Sequence, residues 1–368
     1  MTLSRRKFLA SAAVSLAGVG LGARFLFERR RGVMLSAFEN ARGDQYVGGL
    51  SLPDRRVFGA RVPMRAHGCA IDPRDPQRVV FFARRPGEQA FELSLGSMQL
   101  RTAFTTPPGR HLAGHGVFSA DGEHLYTPEH DYENARGVIA VRDARTFRAL
   151  AELDTHGLDP HEIAFLPDRR SLLVANGGIL THPKSYRRKL NIATMDPSLC
   201  VLDARTGACL DQQRLPDHLL SIRHLALTVD GTAVAGLQYE GPREQAPALA
   251  ALYRNGKLRL LSTPAEELRQ LNGYVASVAI SAQCDLIAAA CPYGPGVACW
   301  SFADEHWQRV IDAREAYGLS LLADGELIAS QRDGGAFTLE KNGLRSHFID
   351  FSAAESIRWD DHWTHVEA

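Results

Sequence analysis

The chain has 368 residues, 45% of them hydrophobic and 23% charged, and its 42 basic and 42 acidic side chains leave no formal net charge. A neutral field gives no draw toward nucleic acid or an anionic membrane surface, and one compact core rarely organises so long a chain unless it closes as a barrel or repeats. Six cysteines are too few to carry the fold as a disulfide framework.

The first segment reads as an address. Ser4-Arg5-Arg6-Lys7-Phe8-Leu9 fits the twin-arginine export pattern, and a mildly apolar run from Leu9 to Ala23 follows it. That run is too short and too rich in Gly and Ala for a transmembrane helix. Residues 1–32 are therefore expected to be a signal segment with a basic flank, and 33–368 a single periplasmic domain. Leu21-Gly22-Ala23 is the nearest approach to a cleavage site. An uncleaved N-terminal anchor is the one way in which this chain would meet a membrane.

Val33 to Pro63 holds three strand-like stretches with no strand before them. From there a unit recurs: an apolar strand, a polar turn often containing Asp-Gly, and a second apolar strand. It reads His67-Gly-Cys-Ala-Ile-Asp-Pro73 with Val79-Val-Phe-Phe-Ala83, then His115-Gly-Val-Phe-Ser-Ala-Asp-Gly122 with His124-Leu-Tyr-Thr127. Further copies start at His161, His224, Ser277 and Gly318, so successive starts lie 41 to 63 residues apart. That is the spacing of four-stranded propeller blades. Two more strands complete each unit, as in Leu199-Cys-Val-Leu-Asp203, the turn Ala204-Arg-Thr-Gly207, and Ala208-Cys-Leu-Asp211. In such a turn the Asp bonds the turn backbone and the Gly accepts a positive φ.

Six full units precede a tail, Ser356-Ile-Arg-Trp-Asp-Asp-His-Trp363, that supplies one strand with nothing after it. The expected fold is therefore all-β, a seven-bladed β-propeller of four-stranded blades. Its last blade is built from both termini, which removes two open sheet edges. Such a ring cannot close until synthesis ends, which suits export of a finished protein.

Several segments carry a family likeness: Gly114-His-Gly-Val-Phe-Ser119, Asp159-Pro-His-Glu162, Val174-Ala-Asn-Gly-Gly-Ile179, Thr181-His-Pro183, Lys189-Leu-Asn191, Met195-Asp-Pro-Ser198 and Ser221-Ile-Arg-His-Leu225. From Arg65 onward the chain resembles a bacterial family catalogued as domain of unknown function 1513. The resemblance implies a twin-arginine exported propeller, related in fold to quinoprotein amine dehydrogenase β chains and the YVTN group. It also implies a genomic setting beside imelysin-like proteins and di-haem cytochromes, in loci that look like iron acquisition. No settled activity comes with it.

In a propeller the innermost strand of each blade lines the channel, and its first residues stand at one mouth. Alignment of the repeats puts His67, His115, His161 and His224 at that level, with Glu162, Arg223, Arg358 and Asp360 close by, and Ser277, Gly318 and Trp359 from the remaining blades. Neutral imidazole suits Fe, Zn and Cu, so iron or another transition metal is the expected cofactor. The same imidazoles could instead bridge neighbouring blades. Strand spacing and fanning put ligands on non-adjacent blades roughly 10 Å or more apart. Neighbouring blades, with His115 and His161 the best pair, are therefore expected to hold a single ion, and a larger ligand such as haem or a ferric chelate to use more of the ring.

The long segment 176–198, with His182, Tyr186, Arg187, Arg188 and Lys189, places positive charge on one face and is expected to bind an anion or a partner. Glu129-His-Asp-Tyr-Glu133 reads as a second loop with possible ligands. Cys291 and Cys299 flank Pro292-Tyr-Gly-Pro-Gly296, symmetric about Pro295, and could face each other across a hairpin as a disulfide in a periplasmic protein. No Gly-x-Ser-x-Gly, His-Glu-x-x-His, phosphate loop or Cys-x-x-Cys-His occurs. The expected function is therefore that of a periplasmic binding or scaffold protein in iron handling, more a binder than an enzyme. The alternative is a metal-dependent lactonase-like hydrolase or a redox subunit using the same mouth.

Overall fold

The computed structural model describes residues 32–185, 188–332, 334–339, 345–349 and 357–367. Arg5, Arg6, Tyr186 and Arg187 lie outside the described residues. Among the described residues, no helix is long and apolar enough to cross a membrane.

Seven antiparallel sheets form the blades of a propeller. In chain order, blade 1 spans 66–105, blade 2 110–154, blade 3 160–213, blade 4 220–260, blade 5 277–312 and blade 6 316–349. Blade 7 draws on both ends of the chain. Val33–Glu39, Gln45–Ser51 and Arg56–Val62 form its outer three strands, and Arg358–Trp359 and Thr364–Val366 both pair with Val33–Glu39 as its inner strand. The closure expected from the sequence is present.

The apolar pattern explains why this chain packs as a ring. Seven hydrophobic clusters lie between successive blades, one wedge per junction. The second strand of most blades is buried on both faces and reads as an apolar run, whereas that of blade 2 buries Glu129, His130 and Asp131 as well. In Val79-Val-Phe-Phe-Ala83, Phe81 joins the wedge toward blade 7 and Phe82 the wedge toward blade 2. Outer strands such as Ala149–Asp154 are mostly exposed. Their turns use the expected chemistry: Asp203 Oδ1 accepts from the amides of Arg205 and Thr206 at 3.0 and 2.7 Å, and Gly207 sits at φ +73°.

The inner strands are irregular where they meet the channel mouth. Blade 1 slips register between Ala66 and Cys69, blade 3 between Pro160 and Glu162, and blade 4 between Ile222 and His224. Blade 2 breaks between Arg110–Leu112 and Val117–Phe118, and blade 7 between Arg358–Trp359 and Thr364–Val366. A bulge re-aims the side chains of the strand that carries it. His67, His115, His161, His224 and His362 each stand at one of these slips or breaks.

Two sequence expectations fail in this frame. The Cys291–Cys299 hairpin is centred between Tyr293 and Gly294, not on Pro295. Cys291 pairs with Gly296 and Cys299 with Ala288, and both thiols are buried and free. Glu129–Asp131 is buried strand rather than loop, with Glu129 held by Arg142 at 2.6 Å.

Ring closure rests on the wedge between blades 6 and 7. There Trp359 packs its ring edge-on to Phe38 and Trp363, at centroid distances of 5.4 Å each. Trp359→Ala is expected to cost about 3–5 kcal/mol of unfolding free energy, read from urea denaturation. A loss below about 1 kcal/mol would mean that the inner strand of blade 7 is not docked as described.

Candidate functional site

Five imidazoles converge on the channel axis. The ring centroids of His67 and His115 are 5.0 Å apart, those of His115 and His161 5.3 Å, and those of His161 and His224 4.7 Å. His362 lies 4.4 Å from His67, 4.6 Å from His115 and 4.7 Å from His224. Blades that are not neighbours also meet: His67 and His161 are 6.1 Å apart, and His67 and His224 6.4 Å. The expected separation of about 10 Å across the channel is therefore wrong. It measures strand backbones, whereas these side chains reach inward from bulges and close the gap.

Close backbone approach makes room for the rings. Gly114 lies at φ +106°, and a Cβ there would stand 2.7 Å from the His67 ring. Its carbonyl accepts from the Gly68 amide at 2.8 Å, tying blade 1 to blade 2 beside the imidazoles.

Each imidazole has its own polar surroundings. His67 Nδ1 donates to Asp360 Oδ1 at 2.5 Å, and Asp360 Oδ2 accepts from Arg65 Nε at 2.5 Å. That bond fixes the His67 proton on Nδ1 and leaves Nε2 as a lone pair, the usual support of a ligating His. Nε2 faces His362 Nε2 at 3.2 Å. Glu162 lies below, its carboxylate 3.8 Å from His115 Nδ1 and 3.6 Å from His224 Nδ1, while its Oε2 accepts from the Leu225 amide at 2.9 Å. His115 Nε2 and His224 Nδ1 are buried without a hydrogen-bond partner among the described residues.

His161 differs from the others. Arg223 Nη1 donates to its Nδ1 at 3.1 Å. A guanidinium cannot accept a hydrogen bond, so the proton of neutral His161 sits on Nε2.

Burial dominates the protonation of the group. It lowers His115 and His224 to about 3 and His362 to about 4. His67 and His161 also fall well below the ordinary value, with Arg84 adding to the effect at His67 and Arg223 at His161. Burial opposes ionisation of Asp360 and Asp361, but Arg65 and Arg84 outweigh it and hold both carboxyls below their ordinary values. Five neutral imidazoles thus stand beside ionised carboxylates that are already paired with arginine.

Metal-ligand distances follow from this packing. Donor atoms of His67, His115 and His161 lie within 4.8 Å of one another, as do those of His115, His224 and His362, and those of His67, Asp360 and Asp361. Two nitrogens each ~2.0–2.1 Å from one ion stand about 3.0–3.4 Å apart. The His67–His362 separation of 3.2 Å already has that value.

The imidazoles separate two cavities. A cavity of about 450 Å³ opens toward the mouth and is lined by His67, His161, Arg84, Arg85, Arg223 and Tyr274, among others. A smaller one of about 200 Å³ is lined by Glu162, His224 and His362, among others.

Of the residues singled out from sequence, His67, His115, His161, Glu162, Arg223, His224 and Asp360 come together. Arg358 does not: it is exposed, pairs in register with Glu39, and holds its Nη1 3.7 Å from that carboxylate. Trp359 turns into the wedge between blades. The residues after it enter the channel instead, and sequence reasoning missed His362 for that reason. The signal was the polar run Asp360-Asp361-His362 between Trp359 and Trp363. In the 176–198 segment, Lys189 lines the outer cavity and pairs with Glu240. His182 packs against Tyr132 at 5.1 Å, and Arg188 is exposed.

The depressed imidazole values set a pH dependence. The unfolded chain binds protons near the ordinary value of about 6.5, before the folded chain does, so stability declines as pH falls below that point. The decline continues toward about 3 to 4, where His115, His224 and His362 titrate in the fold. The urea midpoint is expected to drop between about pH 7.5 and about pH 5, and to drop less in His115→Gln/His224→Gln. A midpoint equally pH-dependent in both proteins would contradict this.

Comparison with known proteins bears on the fold more than on the site. No curated protein matches the chain. A chain from a crystal structure of a mitotic checkpoint complex superposes with a TM-score of 0.56 at 14% identity, covering 78% of each chain, which is a likeness of fold. The model of a protein family of unknown function, DUF1513, matches residues 60–366, and the chain belongs to that family.

Proposed function

We propose that this is a periplasmic metal-binding protein, exported by the twin-arginine route, that holds a transition-metal ion at the channel mouth in the service of iron acquisition. The observation that carries the reading is the set His115, His224 and His362, whose donor atoms lie within 4.8 Å of one another in a buried, neutral group. His67 Nε2 lies 3.2 Å from His362 Nε2 but outside that mutually close set, so it joins as a fourth ligand by moving toward the ion. Buried imidazoles without partners cost stability unless something accepts their lone pairs, and a divalent ion does so. An imidazole-rich set suits Fe, Zn, Cu or Ni. The twin-arginine segment and the family's setting beside imelysin-like proteins and di-haem cytochromes favour iron and a periplasmic partner. Haem does not suit the site, because rings 4.4 to 6.4 Å apart leave no slot for a porphyrin between them.

A second reading, a metal-dependent hydrolase or redox subunit, draws on one feature. The outer cavity lies directly over the imidazoles and would let a substrate reach the ion. Hydrolysis of simple lactones by metal-loaded protein that is lost in His115→Ala would favour it.

Protein purified from periplasm is expected to carry about one transition-metal ion per chain, read by elemental analysis. Removing the ion should lower the unfolding free energy by about 3 kcal/mol when free metal stands at 100 times Kd. His115→Ala/His224→Ala should bind less than a tenth as much. Wild-type protein that takes up no metal would sink the reading. Arg5→Lys/Arg6→Lys should leave the folded protein in the cytoplasm, read by fractionation, whereas unchanged periplasmic recovery would contradict the export route.

A further inference from the structure

The outer cavity has a chemistry that the metal reading does not use. Arg84, Arg85, Lys189, Arg223, Arg243 and Arg269 line it, with Glu240 as a carboxylate among them. Three of these cations are held by carboxylates outside the lining, Arg84 by Asp361 at 2.9 Å, Arg85 by Asp159 at 2.7 Å and Arg223 by Asp159 at 3.4 Å, while Lys189 pairs with Glu240 within it. Arg243 and Arg269 are exposed at the rim and have no carboxylate partner among the described residues.

Two donors at the floor are unused. Arg223 is 4% exposed, and its Nε is buried with no acceptor among the described residues. His161 carries its proton on Nε2, which is likewise buried with no acceptor. Buried donors without acceptors are costly, and both belong to residues that line one cavity. Both side chains belong to the cavity lining, so with a small turn of the imidazole and the guanidinium an acceptor seated against them would be met by these N–H groups and by the neighbouring guanidinium groups. Arginine forks match carboxylate geometry.

We infer that this cavity binds a small multi-carboxylate anion, whose inner carboxylate takes the His161 and Arg223 donors while its outer carboxylates meet Arg243 and Arg269. A volume of about 450 Å³ accommodates a molecule of that size with some water. Where the metal reading holds, the anion lies over the ion and can share it as a chelate, and this part of the inference rests on that reading. The placement also gives His161 a distinct role, as a donor to the anion rather than a metal ligand.

The test is calorimetric titration of citrate into full-length protein stripped of metal, with inorganic phosphate as a second arm. Citrate is expected to bind at one site per chain, and phosphate at least 10-fold more weakly because it offers one anionic centre. Arg243→Gln/Arg269→Gln, which changes exposed side chains and should fold normally, is expected to weaken citrate 5- to 20-fold and leave metal uptake intact. Arg223→Lys should weaken citrate further by removing the floor donor. In His115→Ala/His224→Ala, citrate alone should bind as in wild type while metal uptake is lost, so a failure of the metal reading is seen apart from a failure of this one. No citrate binding to wild type, with or without metal, would overturn the inference. So would binding that the rim pair does not weaken, or phosphate binding as tight as citrate.

Discussion

The pairing of Val33–Glu39 with the two C-terminal strand pieces holds the ring shut, and the chain between those pieces carries Asp360, Asp361 and His362 into the channel. Closure and site are therefore one construction. Asp360 donates its amide to the Ala37 carbonyl at 2.9 Å while its carboxylate holds Arg65 and His67 of blade 1. Blades 1 and 7, the first and last to be completed, are joined at the imidazole cluster as well as through their apolar wedge. A ring whose C-terminal strand pieces come undone would lose the carboxylate that holds Arg65 and His67 and the packing of Trp359 and Trp363 against blade 6.

Irregularity in the inner strands serves the site. Register slips in blades 1, 3 and 4 and breaks in blades 2 and 7 are where the five histidines stand. Blade 5, whose inner strand Ser277–Ser281 pairs with Leu286–Cys291 without a slip, contributes no imidazole, and blade 6, which slips between Ala316 and Leu319, places Tyr317 and Gly318 there instead. A regular strand would present alternate residues to the two wedges. The bulge diverts one residue toward the axis, at the cost of a ladder bond and a buried polar group. That cost persists in a stable fold where something else offsets it, and a bound ion is the offset proposed here.

The blades were legible because their signal is local and repeated: apolar runs of strand length, Asp-based turns and a period near the length of one blade. The closing blade was legible by subtraction, since three strands at one end and one at the other complete a seventh. The convergence of His67, His115, His161 and His224 was legible as a shared repeat position, but its tightness was not. Ring-to-ring distance depends on bulges, which leave no periodic trace. His362 escaped because the tail was read as continuous strand, which put Trp359 in the channel and Arg358 beside it. Aromatic packing on Phe38 draws Trp359 the other way. The cysteine hairpin misled because symmetry about a proline does not set register; the turn itself does.

The protonation pattern divides the five imidazoles by role. His67 is fixed by Asp360 with its Nε2 lone pair inward, His115 and His224 flank Glu162, and His161 is turned into a donor by Arg223. The proposed cation would thus meet the lone pairs of these imidazoles, and the proposed anion the donors of Arg223 and His161. X-ray absorption at the metal edge, on protein loaded with one equivalent of iron, tests this most directly. Three or four nitrogen neighbours at about 2.0–2.2 Å with imidazole outer-shell scattering are expected. A shell of water oxygens alone, without imidazole scattering, would contradict the account.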